Sequence, residues 1–446
     1  MSTLMRSVSG IRGIVGDSLT PSVLLSHVKA FLEITQAKKI VIGRDSRPTG
    51  EAISSFVAGF CRLAGVEVID VGLATTPTVA MLVTHTHSGG GIIITASHNP
   101  VEWNALKFLD VEGLFLGPDF VHQLFQVADK GNFSFPDYTH VKGYAFLENA
   151  DDIHIKGTLE IPFVDVEAIR AKGFKVAIDA VNGAGSFILP RLLKNLGCEV
   201  VLVHCTPNGT FPRGAEPLPE NLTDLSKAVK ENGCEVGFAL DPDADRCALV
   251  DGKGVAIGEE YTLAIAIEEV LSQKKGSVCV NLSTSRMNED IAEKYGCTCS
   301  RSKVGEINVS LQMIEEKCII GGEGNGGVIL PALHYGRDSL VAAALVLSWM
   351  ARHDGGPEKF VSENQSYAMP KKKFILSNKP LTQIFDAVKK DFDGWELDSR
   401  DGLRFAKGKS WVHVRASNTE PVLRVIAEAP SKEEAEALCQ TVENNI

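Results

Sequence analysis

The stretch Gly91-Ile-Ile-Ile-Thr-Ala-Ser-His-Asn-Pro100 carries a strand and a reactive turn within ten residues. Gly91-Ile-Ile-Ile-Thr95 is a short, continuous apolar run with β-branched residues, the signature of a strand buried on both faces. Ser97 follows it directly and therefore stands at the carboxyl end of a strand, the edge at which open α/β sheets bind ligands. Pro100 biases Asn99 away from the helical region, which favours a tight, exposed turn. Ser, Asn and Pro also make ordinary turns. A serine hydroxyl is a poor nucleophile without an activating partner, and no GxSxG elbow surrounds this one. A phosphorylated Ser97 is a different species, a donor that needs only an acceptor and a metal.

Strand and helix signals alternate on both sides of this segment. Residues 39–43 and 66–72 read as buried strands, and 51–63 and 76–85 as helices. The pattern restarts with a strand at 174–179, a helix at 187–196, a strand at 199–203, a helix at 222–232 and a strand at 236–240. A third round has a helix at 259–271, strands at 277–281 and 318–321, and a long helix after Gly336 that runs through Met350. Short apolar strands punctuated by helices argue for parallel α/β layers. The end of the chain differs: a helix at 381–392, strands near 403–405, 410–414 and 422–426, then a helix at 432–443 predict a small α+β domain with an antiparallel sheet. The expected domains are 1–153, 154–254, 255–367 and 368–446.

Bulk properties permit this organisation. A chain of 446 residues with 44% hydrophobic content is long enough for three or four cored domains. A net charge of -11 argues against non-specific nucleic-acid or membrane-surface binding, so an anionic ligand would need a locally basic pocket. The ten cysteines form no CxxC pair; Cys297 and Cys299 make only CxC. That pattern predicts reduced thiols in a cytoplasm, not a disulfide framework or a zinc site. Met1 to Arg6 has no signal-peptide core, and no apolar run approaches the ~20 residues of a membrane span. The expectation is a soluble cytoplasmic protein, monomer or homodimer.

Three further stretches carry chemistry. Asp241-Pro-Asp-Ala-Asp-Arg246 follows an apolar strand and places Asp241, Asp243 and Asp245 at every second position. In an extended chain that spacing points the three carboxylates to one side. Clustered carboxylates repel unless a cation sits among them, and hard oxygen ligands favour magnesium. An EF-hand reading fails, because position six is Arg246 and position twelve Gly252. Arg246 adds a cation suited to phosphate. In Gly322-Glu-Gly-Asn-Gly-Gly327, glycine lets backbone approach a ligand while Glu323 and Asn325 can hydrogen-bond sugar hydroxyls. Arg415-Ala-Ser-Asn-Thr-Glu-Pro421 offers Arg415, Ser417, Asn418 and Thr419 for a terminal phosphate.

These loops, in this order, resemble those of the α-D-phosphohexomutase family, which includes phosphoglucomutase/phosphomannomutase and phosphoglucosamine mutase. The resemblance runs along essentially the whole chain. It implies three α/β domains with mixed sheets and a final α+β domain around a central cleft. It also implies Ser97 as the phosphoserine, with Asp241, Asp243 and Asp245 holding Mg2+ together with a phosphoserine oxygen. Glu323 and Asn325 would bind sugar hydroxyls, and Arg415, Ser417, Asn418 and Thr419 the phosphate not being transferred. Ser9-Gly-Ile-Arg-Gly13 resembles the family's first active-site segment, with Arg12 near the phosphoserine. Asn104-Ala-Leu-Lys107 and Lys303-Val-Gly305 resemble its two lysine segments, and Gly43-Arg-Asp-Ser-Arg47 a structural motif.

The implied reaction interconverts a hexose 1-phosphate and its 6-phosphate, through a hexose 1,6-bisphosphate that also serves as activator. Glucosamine phosphate is the preferred substrate, because Ser9-Gly-Ile-Arg-Gly13 looks closest to that branch; mannose and glucose phosphates are the alternative. The sugar loop departs from the usual Gly-Glu-Met/Gln-Ser-Gly-His, with Asn325 for Ser and Gly327 for His. That leaves Lys107, Lys303 and His98 as proton-transfer candidates, with His334 read as structural. Two rivals remain: an Asp241-nucleophile phosphatase, which leaves Ser97 and the Arg415 loop without jobs, and a non-catalytic sugar-phosphate sensor supported by Gly327.

Overall fold

A computed structural model describes residues 3–131, 133–376, 379–416 and 422–446. The first sheet has seven strands in the order Met5–Ser7, Gly10–Ile14, Trp103–Leu109, Gly91–Ile94, Lys39–Arg44, Glu67–Leu73 and Tyr144–Phe146. Its centre is parallel, as the strand-helix alternation predicts. Trp103–Leu109 and the N-terminal hairpin add antiparallel strands on one side. The turn after Gly91–Ile94 is too short for a crossover helix, so the chain must fold straight back along its own strand.

The second sheet, Cys247–Asp251, Val236–Leu240, Lys175–Asp179 and Glu199–Val203, and the third, Cys299–Ser302, Val278–Asn281, Ile320–Glu323, Gly327–Leu330 and His334–Arg337, are also mixed. The fourth is wholly antiparallel: Lys371–Ile375, Val422–Glu428, Ser410–Ala416, Leu403–Lys407 and Glu396–Asp398. Three α/β units and a final α+β unit are thus present, as expected. No helix among the described residues is long and apolar enough to cross a membrane.

The cores do not respect the sheets equally. One continuous apolar core joins the second and third units, from Leu189 and Phe238 to Ile265 and Leu345. The helix Ser339–His353 is buried along almost its whole length and supplies much of it. The first unit has a core on each face of its sheet, and one of these takes in Ile307 of the third. The fourth unit has its own core around Ile384, Phe405 and Leu423.

Candidate active site

Ser97, Asp241, Glu323 and Asn281 each lie at or just beyond the carboxyl end of a strand. These ends open on a cleft of about 620 Å³, lined by Arg12, Ser97, His98, Lys107, Arg246, Glu323, Asn325 and Arg415 among others. The turn that presents Ser97 is fixed from below. Arg47, fully buried, donates through Nη2 to the carbonyls of Ser97 and Asn99, both at 2.6 Å. Its Nη1 donates to those of Pro100 at 2.6 Å and Trp103 at 3.1 Å. Asp45 holds Arg47 and accepts from Thr95 Oγ1, which in turn accepts the Ser97 amide. The segment 43–47 is structural: its Arg47 holds the turn that carries Ser97. Ser97 itself has φ +50°, a left-handed conformation that such over-determined contacts can sustain at a functional residue.

Ser97 Oγ donates to Asp241 Oδ2 at 3.2 Å and lies 3.4 Å from His98 Nδ1. Asp241, Asp243 and Asp245 are fully buried, with one carboxylate oxygen of each within 4.8 Å of the others. The expected extended spacing is corrected here: the three converge around a turn. Ala244 has φ +55°, and Asp241 Oδ1 accepts the amides of Asp245 and Arg246 at 3.2 Å. Proline at 242 and a left-handed Ala244 curl the chain around Asp241, which alternation along a strand cannot do.

Burial, with Asp245 and Asp243 beside it, pushes Asp241 well above the usual carboxylate range. Burial would raise Asp243 too, but the Lys107 ammonium at 2.7 Å holds it well below that range, aided by Thr76. Asp243 Oδ1 and Asp245 Oδ1 are buried without a hydrogen-bond partner among the described residues. Buried carboxylate oxygens left bare are costly unless a cation takes them. The donor set therefore fits a hard divalent metal ion.

Around this centre the cleft is basic. Arg12 donates to Asn99 Oδ1 at 3.1 Å, and Arg246 pairs with Glu216 at 3.0 Å. Burial and the Arg246 charge push His98 down to about 4, so its imidazole is neutral at pH 7. Across the cleft, Glu323 accepts from Asn281 Nδ2, the Gly305 amide and Arg337. Asn325 Oδ1 is buried and unpartnered among the described residues. Arg415 pairs with Asp401 at 3.0 Å, and the same carboxylate accepts the Val304 amide at 3.0 Å. Lys303 itself is exposed, next to Val304, Gly305 and Glu306 of the cleft wall. Ser417, Asn418 and Thr419 lie outside the described residues.

Arg337 was not legible in the sequence. Its guanidinium bonds Asp245, Glu323 Oε2 at 2.7 Å and Glu306 Oε2 at 3.1 Å, so it ties the carboxylate triad to the sugar loop. It also accounts for Gly327: a Cβ there would lie 2.2 Å from Arg337 Cδ. Arg337, ten residues further on, fills the space that a side chain at position 327 would need. Arg337 is the last residue of the strand His334–Arg337, directly before the helix cap Asp338, a position where an arginine has many ordinary explanations. His334 is satisfied, bonding Asp338 through Nε2 at 2.9 Å and accepting the Gly336 amide on Nδ1.

Family models described as phosphoglucomutase/phosphomannomutase domains I, II, III and the C-terminal domain match residues 4–134, 152–254, 259–367 and 371–445. The chain belongs to the phosphoglucomutase/phosphomannomutase family. It is 36% identical over 439 residues to a phosphoglucomutase/phosphomannomutase of Thermococcus kodakarensis, covering 96% of this chain and 94% of that one. It is 32% identical over 436 residues to a probable phosphoglucosamine mutase of Methanopyrus kandleri, covering 96% and 95%. Among solved structures, a phosphoglucomutase/phosphomannomutase family protein of Burkholderia thailandensis superposes with a TM-score of 0.86 at 26% identity, covering 99% of this chain and 97% of that one. The family's four-unit plan is the one described above.

Proposed function

We propose that this chain is a magnesium-dependent phosphohexomutase acting on glucosamine phosphate through phosphorylated Ser97 and a hexose 1,6-bisphosphate. The observation that carries this reading is the meeting of Ser97 Oγ with Asp241 at 3.2 Å, on a basic cleft whose opposite wall holds Arg415. A free sugar hydroxyl attacks the phosphorus on Ser97; the new P–O bond forms as the serine P–O bond breaks, and the hydroxyl proton passes to a base. The bisphosphate then presents its other end, and that phosphoryl group returns to Ser97 Oγ.

Asp241, Asp243 and Asp245 would hold the metal ion, which supplies charge neutralisation on the transferring group. Arg12, Arg246 and Lys107 add fixed positive charge around Ser97. Arg415 is assigned the phosphate that is not in transfer, together with Ser417, Asn418 and Thr419 of its loop. Neutral His98 can exchange a proton with Ser97 Oγ. Burial pushes Glu306 up to about 7, and it lies on the sugar-loop side, where it can take the hydroxyl proton. Lys303 remains a candidate only as an exposed residue at the rim.

Parallel assays on the 1-phosphates of glucosamine, N-acetylglucosamine, mannose and glucose, with magnesium and a trace of hexose 1,6-bisphosphate, test the reading. The expected order puts glucosamine 1-phosphate first by kcat/KM. A preference for mannose or glucose would instead favour the phosphoglucomutase/phosphomannomutase range, the second reading, to which the 36% identical relative points. Release of inorganic phosphate without isomerisation would mean a phosphatase. Ser97→Ala should abolish turnover and remove a ~80 Da adduct, the mass of one phosphoryl group, from the intact-protein mass spectrum.

A further inference from the structure

A second cavity, of about 260 Å³, lies between the third and fourth domains, away from the cleft. Four arginines and Lys407 line it against three carboxylates, a positive balance in a chain of net charge -11. Pairing consumes part of this charge. Glu289 takes Arg301 at 2.7 Å and Arg286 at 3.5 Å, and Asp398 takes Arg400 at 2.6 Å. The third carboxylate, Glu396, is exposed.

Arg404 is left over. It is 9% exposed, donates Nε to the Leu282 carbonyl at 3.0 Å, and makes no ion pair among the described residues. Its guanidinium lies over the Trp411 ring at 5.0 Å. Beside it, Arg301 is 8% exposed and has a buried Nη2 with no partner among the described residues. Burial, with the Arg301 charge, pushes Arg404 down to about 9. Arg404 has only its Nε in a described hydrogen bond and can turn its Nη groups to a tetrahedral oxyanion, while the Arg301 guanidinium beside it adds a second, nearly buried positive charge.

The same arginines hold the back of the cleft wall. Arg301 Nη1 donates to the carbonyls of Asn281 and Thr284, both at 2.9 Å. On the other side of that turn, Asn281 Nδ2 donates to Glu323, and Thr284 Oγ1 accepts the Gly324 amide at 3.0 Å.

We propose that this cavity binds one oxyanion the size of inorganic phosphate between Arg404 and Arg301, and that occupancy stiffens the turn 281–284 and, through it, the sugar loop. This goes beyond the mutase reading and does not depend on it.

Inorganic phosphate titrated calorimetrically into the whole protein tests it. A binding event should persist in the Arg12→Ala/Arg415→Ala double variant, in which the cleft has lost phosphate-gripping side chains at both ends. Adding Arg404→Gln should weaken that event at least tenfold. Because Arg404 packs on Trp411, Lys407→Glu on the exposed rim provides a second arm; it should weaken binding severalfold with the fold intact. Phosphate should also slow amide exchange across 281–285 and at Gly324 severalfold in the double variant. Absence of the event there, or full affinity retained in Lys407→Glu and in any folded Arg404→Gln protein, overturns the site. Binding with unchanged exchange overturns the coupling.

Discussion

At Gly327 a single added methyl group would meet Arg337 Cδ at 2.2 Å. Arg337 cannot step aside cheaply, since Asp245, Glu306 and Glu323 fix its guanidinium. Gly327→Ala should therefore cost about 1–3 kcal/mol, the usual range for overpacking a tight site, read as a lower urea midpoint. It should also weaken metal activation, because the displaced arginine is the one on Asp245. An unchanged midpoint and an unchanged magnesium requirement would show that Arg337 is free to move. Ser97 and the three aspartates stood out because each motif directly follows an apolar strand and three carboxylates at every second position are chemically pointed. Arg337 was not, since its partners come from three separate stretches and nothing local announces that they meet.

The element that presents Ser97 is a turn, and its rigidity comes from an arginine fifty positions earlier. Arg47→Lys would keep the charge beside Asp45 but lose the planar fork that reaches the carbonyls of Ser97, Asn99, Pro100 and Trp103. Each net hydrogen bond lost is worth about 0.5–1.5 kcal/mol. Several kcal/mol of stability should go, and phosphorylation of Ser97, followed by intact mass, should slow even in protein that remains folded. Although strands such as Cys247–Asp251 and Gly327–Leu330 and helices such as Pro21–Thr35 and Glu306–Glu316 were missed, many strands and helices of the three α/β units were readable from apolar runs and their spacing. The antiparallel strand Trp103–Leu109 was not, because its mixture of Asn, Lys and apolar residues has no clean period although nearly all of it is buried. Lys107 is in that strand because the site needs its charge against Asp243, a tertiary demand that overrides the local pattern.

Taken as a whole, the molecule is three units locked by shared apolar cores and a fourth with a core of its own. Described polar links between the fourth unit and the rest include Lys371 on Glu259 at 2.8 Å, His413 on Ser283 at 2.8 Å and Glu428 on the Arg286 amide. Glu260, beside Lys371 and packed against Gly324, is pushed by burial from 4.5 up to about 8. Its folded form thus prefers the neutral acid. The stability it contributes is full below about pH 4.5 and drains away as pH rises through about 8. Glu260→Gln should flatten the fall in stability between these values, measured by urea titration from pH 5 to 9; a parallel fall in both proteins would remove Glu260 as its source.

An apolar seam must expose hydrocarbon to open, whereas a seam of charges only exchanges one set of polar partners for water. In the seam of the fourth unit, the part salt can loosen is its partly exposed ion pairs, Lys371 on Glu259 and Lys409 on Asp290. If the sugar bisphosphate must turn end for end within each cycle, the grip on its idle phosphate has to relax and re-form every time. Moderate ionic strength would then act as a lubricant, quickening the swing of the fourth unit while the apolar seams hold the three-unit block that carries Ser97 and the aspartate triad.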